Sequence, residues 1–376
     1  MSDDKTLRED LAGRLTAGGH LRSPQWRQAV LDTPRHEFLR GGYFRRVDGT
    51  GTGPTGWEPV MPGDAAWLPA SYTDDSLVTQ IAGTIAPADI QGRIFRSPTS
   101  SSTLPSLVVR MLEELRLDDG MRVLEIGTGT GYSTALLCHR LGDDLVTSIE
   151  IDEDVSTRAR AALGATGHIP RLIVGNGLDG DPDGAPYDRI VATCGVLDIP
   201  AAWFAQTRPG GQILATVCGW MYSSELARLT VDDGAAHGRL LGGQISFMLA
   251  RPHLPPPLGM LPDLDDGEER EAVIGADALD HWTARFVAQI AAPRTQRIRI
   301  QPPGGETQHV FIDVDAESWA ALRLDGAHWT VRQGGPDRVW DRIEEHMAHW
   351  QRDGSPDLDR FLITVTPDQQ TITWDR

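Results

Sequence analysis

The sequence predicts an α/β fold built on a doubly wound sheet, with helices ahead of it and an extra α+β domain behind it. Three observations carry that prediction. A short apolar run, Val123, Leu124 and Ile126, ends in three alternate glycines, Gly127, Gly129 and Gly131. Beyond it, apolar stretches of strand length alternate with amphipathic stretches of helix length at close, regular spacing. A proline-rich segment, 253–268, then separates this array (1–252) from residues 269–376.

The whole chain sets outer bounds. Its 376 residues suit two domains, and 40% hydrophobic with 23% charged residues is ordinary for a soluble globular protein. No apolar stretch reaches membrane-spanning length, and the charged opening Met1 to Asp10 lacks the apolar core of a signal peptide, so a cytoplasmic location without membrane partners is expected. A net charge of −18 repels phosphate backbones and argues against nucleic-acid binding. Cys138, Cys194 and Cys218 show neither a pairing pattern nor metal-ligand spacing, as suits reduced thiols and no metal site.

Taken in order, residues 5–45 read as helical, with Leu7, Leu11 and Leu15 on one face and a second segment, Trp26 to Phe38, broken at Pro34. Residues 46–70, rich in Gly, Pro and Trp, read as a long loop of the kind that covers a substrate. Five hydroxyls in a row, Thr99 to Thr103, precede an amphipathic helix through Leu107, Val108, Met111 and Leu112, and one of them should cap that helix. After the glycines come helix 132–141, strand 145–151, helix 153–163, strand 171–175, strand 187–193, helix 199–207 and strand 211–218. The alternating run Gln244 to Leu249 is expected to complete the sheet. In 269–376 the pattern offers strands at 296–301, 308–314 and 360–366, and a helix 337–350 whose Val339, Ile343, Met347 and Trp350 form an apolar core stripe. His309, His328, His346 and His349 have no metal spacing.

The glycine turn decides between cofactor classes. Counted from Gly127, the sixth position is Tyr132, so the dinucleotide fingerprint fails, and no Gly-Lys-Ser/Thr follows for a P-loop. Glu125 before the first glycine, Gly-x-Gly-x-Gly, and the acidic strand end Glu150 instead resemble class I S-adenosylmethionine-dependent methyltransferases, with a Rossmann-like fold. That likeness implies that Glu125 lies by the cofactor's charged groups and that Glu150 accepts from its ribose hydroxyls. Further motifs narrow the resemblance. Pro34-Arg35-His36-Glu37-Phe38, Ala185-Pro186-Tyr187-Asp188 and Arg208-Pro209-Gly210-Gly211 resemble the protein-L-isoaspartate O-methyltransferases, as does Gly175-Asn176-Gly177, where the family has Gly-Asp-Gly. His36 reads as structural.

The same resemblance aligns Pro105 with the proline of the family's Gln-Thr-x-Ser-x-Pro pattern, so Ser101 stands at its threonine and Thr103 at its serine. It implies a cofactor site of Ser101, Glu125, Gly127, Thr128, Gly129, Gly131, Tyr132, Glu150, Ile151, Asn176 and Gly177. Ser101, Ser102 and Thr103 are implied as the catalytic hydroxyls, and Thr193 and Cys194 lie on the substrate side. S-adenosylmethionine is the implied cofactor and S-adenosylhomocysteine its product. The Thr103 departure crowds the carboxylate site. Together with residues 269–376, which ordinary members are expected to lack, it resembles the methyltransferases of graspetide biosynthesis. That implies a peptide partner, a macrocyclised ribosomal precursor whose Asp is methylated and closes to an aspartimide. General isoaspartate repair is the alternative.

Overall fold

A computed structural model describes residues 4–48, 56–232, 234–301 and 306–375. The chain divides into two compact units, one of Met1–Thr193, Pro200–Leu214 and Thr230–Gly234, the other of Cys194–Ile199, Ala215–Leu229 and Ala235–Arg376. Residue 252 is therefore not a boundary, because strands before and after it share the second unit.

In the first unit, α1 (Asp4–Ala17) buries Leu11 and Leu15, and α2 (Pro24–Asp32) opens on its proline and stops short of Pro34. A 3-10 turn, Arg35–Leu39, carries the Pro-Arg-His motif. Where a long loop was expected, β1 (Tyr43–Val47) pairs antiparallel with β2 (Gly56–Val60). The short helix α3 (Trp67–Ala70) then leads to β3 (Leu77–Ile81) and β4 (Pro98–Ser102). Their order is β2-β1-β3-β4. The sheet forms because Tyr43, Val60 and Leu77 bury together with Leu39, and Trp67 packs on them. Residues 49–55 of the expected loop lie outside the described residues.

Next come α4 (Pro105–Glu114), β5 (Val123–Ile126), α5 (Tyr132–Leu141), β6 (Val146–Glu150) and α6 (Glu153–Ala165). They are followed by β7 (Arg171–Val174), β8 (Tyr187–Val196), α7 (Ala201–Ala205) and β9 (Thr207–Cys218). Strand order is β9-β8-β5-β6-β7, and β8, β5, β6 and β7 run parallel. All four residues of β5 are buried, as a strand covered on both faces requires. The order reverses at β5, with β6 and β7 to one side and β8 to the other, which makes its carboxyl end the switch point where open α/β sheets bind ligands.

The second unit contains most of β10 (Ser224–Asp232), then β11 (Ala235–Leu240), β12 (Glu268–Ala272), α8 (Trp282–Ala291), β13 (Gln296–Ile300) and β14 (Gln308–Asp313). It ends with β15 (Ser318–Asp325), β16 (His328–Gly334), α9 (Val339–Arg352), β17 (Phe361–Val365) and β18 (Gln370–Trp374). An antiparallel sheet β12-β16-β15-β14-β13 carries α9, whose Val339, Ile343 and Met347 are buried as the stripe predicts. The stretch expected to complete the main sheet does not: 244–249 makes only an isolated bridge, Leu249 to Gly195. That place is taken by β17 and β18, in the order β10-β11-β17-β18, with Ile363 opposite Gly238. Among the described residues no helix is long and apolar enough to cross a membrane.

Candidate active site

The site is built where β5 ends. Gly127, Gly129 and Gly131 all have positive φ, at 94°, 56° and 90°, a conformation that costs an L side chain about 1 kcal/mol or more. Gly127 is also needed for space. A Cβ on Gly127 would lie 2.7 Å from Thr193 Oγ1, and one on Gly129 would lie 3.5 Å from the Ser101 carbonyl oxygen. That second approach brings the hydroxyl run onto the glycine turn.

Glu125 sits beneath the turn, wholly buried, and accepts from Ser133 and Thr134 at 2.5 Å and from Ser148 at 2.7 Å. Since the Ser148 proton goes to Glu125, Thr128 Oγ1 donates to Ser148 across 2.7 Å. Burial pushes the Glu125 carboxyl above its ordinary range, and the three hydroxyls pull the other way. Enclosed in this way, the carboxylate holds the start of α5 and β6 beneath the turn. Glu150 ends β6 with one oxygen accepting from Gly129 N–H at 2.9 Å and the other from Asp152 N–H at 3.1 Å. Next to it Ile151 is 38% exposed.

Thr193 Oγ1 donates to the Gly127 carbonyl at 2.5 Å, with Ile126 O at 3.1 Å. It clamps β8 to the turn. Asn176 accepts with its carbonyl oxygen from Leu178 N–H at 3.1 Å, capping the short turn Gly177–Asp179. Gly177 is required for packing, since a Cβ would meet Ile126 Cγ2 at 2.4 Å. Cys194 is half-buried, belongs to the second unit and forms no disulfide.

The five hydroxyls divide by role. Thr99 donates to Gln80 Oε1 at 2.8 Å, and Gln80 reaches Asp152 at 3.0 Å. Ser100 accepts from Thr79 at 3.4 Å. None caps α4, whose N-cap position is Leu104; Asp74 and Ser76 instead take the Ser106 and Leu104 N–H groups at 2.8 and 3.1 Å. The side chains of Ser101, Ser102 and Thr103 have no hydrogen-bond partner among the described residues, and Ser102 Oγ is fully buried. Unspent donors beside a glycine cradle fit a polar ligand there.

Sequence reasoning passed over Arg35 in favour of its neighbour. His36 is structural as expected, with Nδ1 2.6 Å from the Tyr72 hydroxyl. Arg35 is wholly buried and donates to the carbonyls of Ser71, Thr73, Asp75, Ser102 and Thr103 at 2.9–3.2 Å. The signal was the conjunction of Pro34 and a cation at the start of a turn. Elsewhere the fold gathers Cys138, Asp143 and His168 within 4.8 Å, a grouping their spacing hides. Both oxygens of Asp143 are taken there, by His168 Nδ1 at 3.0 Å and Ile169 N–H at 2.6 Å. Burial pushes the Cys138 thiol well up, so it stays protonated.

Residues 72–238 match the family model for protein-L-isoaspartate(D-aspartate) O-methyltransferase. A protein-L-isoaspartate O-methyltransferase of Methanopyrus kandleri is 32% identical over 248 residues, 64% of this chain and 91% of the relative. The chain belongs to the protein-L-isoaspartate O-methyltransferase family. Another relative, protein-L-isoaspartate O-methyltransferase 1 of an Anaeromyxobacter species, is 44% identical over 115 residues, 30% of this chain, and the chain spans about half, 53%, of it. A solved protein-L-isoaspartate O-methyltransferase covers 98% of this chain and 100% of its own, with a TM-score of 0.57 at 22% identity. Its fold therefore extends over the C-terminal residues too, which corrects the expectation that 269–376 set this chain apart. Membership places the chain among the class I S-adenosylmethionine-dependent carboxyl O-methyltransferases.

Proposed function

We propose that this protein methylates an aspartate-type carboxylate of a peptide or protein, with S-adenosylmethionine as methyl donor. The observation that carries the reading is the approach of the Ser101 main chain to the glycine turn, its carbonyl oxygen 3.5 Å from where a Cβ on Gly129 would stand, together with the unspent hydroxyls of Ser101 and Thr103 in the same run. The glycine turn, the N–H groups opening α5, Glu150 and Ile151 would hold the cofactor. When bound, it supplies an electrophilic methyl and departs as S-adenosylhomocysteine. A carboxylate is already a nucleophile at neutral pH, so the chain needs no strong base. Ser101 and Thr103 donate to the carboxylate oxygen that does not attack, hold the other in line, and exclude water.

The finer reading is that the substrate is a normal Asp in a macrocyclised ribosomal precursor of the graspetide kind. It rests on Thr103, whose extra methyl narrows the place where the family has serine. The following backbone nitrogen would attack the ester carbonyl and expel methanol, closing a five-membered aspartimide. Isoaspartate repair is the second reading, favoured by the names of the relatives and by a solved isoaspartate methyltransferase of the same extent. Labelled cofactor offered with an isoaspartyl peptide or with a cyclised Asp-containing precursor separates them. The precursor is expected to take the label. Label on the isoaspartyl peptide alone replaces the finer reading with repair, and label on neither overturns both.

A further inference from the structure

Arg35 is a buried cation whose hydrogen bonds, among the described residues, all end on main-chain carbonyls. Nη1 reaches Ser71 O at 3.1 Å and Thr73 O at 2.9 Å, and Nη2 reaches Asp75 O at 2.9 Å and Ser102 O and Thr103 O at 3.2 Å. The guanidinium also lies 5.9 Å from the centre of the Tyr132 ring, the first residue of α5 after the glycine turn. One side chain thus touches the 71–75 segment, the hydroxyl run and the cofactor turn. Taking a guanidinium out of water costs several kcal/mol, and neutral carbonyls return less than a carboxylate would. For packing alone, an apolar side chain of similar size would fill this place more cheaply. A planar fork of five donors can join two separate strings of carbonyls, which neither lysine nor methionine can do.

The rest of the run is held from elsewhere. Ser101 and Ser102 pair with Val78 and Leu77. Past Thr103, Ser76 Oγ takes Leu104 N–H and Asp74 takes Ser106 N–H. Main chain 101–106 is therefore fastened from both sides, while the hydroxyls of Ser101 and Thr103 remain unspent among the described residues. A donor that must meet one carboxylate oxygen gains most from such fixing, because its orientation is settled before the substrate arrives.

We propose that Arg35 is the positioning residue of this enzyme: through the Ser102 and Thr103 carbonyls it sets the angle at which the run presents Thr103 to the substrate carboxylate. The inference rests on the reading of the run as the substrate side. Burial lowers the guanidinium to about 10, so it keeps its charge at neutral pH.

Arg35→Lys keeps a cation and loses the fork. In the substrate-free protein, folded by circular dichroism, it should raise amide hydrogen exchange across 98–107. With peptide it should lower kcat by about tenfold to hundredfold with cofactor affinity within about twofold of wild type, and guanidinium ions should restore part of the activity of Arg35→Ala. The double variant Asp74→Ala with Ser76→Ala changes exposed side chains, loosens the same run from its far end, and should show the same split even if the Arg35 variants fail to fold. Unchanged exchange, unchanged kcat, or a loss that sits in cofactor affinity overturns the positioning role. If wild type methylates neither peptide, the function fails, while the exchange result still decides whether Arg35 orders the run.

Discussion

The proposed selectivity rests on a single methyl group, the one that distinguishes Thr103 from a serine. That residue is half-buried, follows β4 directly, and its hydroxyl has no partner among the described residues. Thr103→Val keeps the volume and removes the donor, and should lower the methyl-transfer kcat by about a hundredfold with cofactor affinity retained. Thr103→Ser keeps the donor and opens the site, so turnover of an isoaspartyl peptide should rise relative to an Asp peptide. Steady-state kinetics on the two peptides checks both, and a ratio left unmoved by Thr103→Ser removes the steric argument for Asp selectivity. Residue chemistry was legible at Thr103 and at the glycines because each has a constraint that a spacing can reveal. At Glu125, Asn176 and Thr193 the internal partners were not legible. They stand 8, 2 and 66 residues away, and a side chain's partners are invisible until the chain has folded.

At the scale of elements, the helices and buried strands from 132 to 218 fall close to where their periodicity put them. Periodicity works there because each element faces the core with one side, or with both. Alternation by itself does not decide pairing. Gln244 to Leu249 alternates cleanly yet makes one bridge, whereas β11 and β18, which were not foreseen, pair with β17, which falls within the expected strand 360–366. Phe361 and Ile363 of β17 are buried, and Ala236 to Arg239 of β11 pair with β17. A chain ended at residue 252 should therefore not fold on its own. It leaves the β11 edge unpaired and the core of the second unit without its C-terminal half. Soluble expression and circular dichroism of residues 1–252 test this, and a cooperatively melting, monomeric fragment would contradict it.

For the molecule as a whole, stability should depend on pH through its buried imidazoles. Burial holds His36, His253, His309 and His346 below the ordinary histidine value of 6.5. Just below that pH the unfolded chain binds protons that the folded chain refuses, so folding stability falls as pH drops through 6.5 toward each folded value and is level above it. The midpoint of urea unfolding should decline between pH 7 and pH 5.5, well before the carboxylates titrate. A midpoint that is flat or rising across that interval is the contrary result. The acidic excess of −18 acts in parallel as general self-repulsion near neutrality.

By itself the sequence determined the glycine turn, the parallel sheet around it and the hydroxyl run, because glycine conformation, burial period and a string of like side chains are properties of neighbours along the chain. Tertiary structure alone decided which hydroxyls stay unspent, that Thr193 serves the turn, that the C-terminal strands complete a sheet begun before residue 252, and that Arg35 fastens the run. Those outcomes depend on groups brought together from distant parts of the chain, such as the 67 residues between Arg35 and Ser102. Local sequence carries no record of such meetings beyond the oddity of an arginine where the core closes.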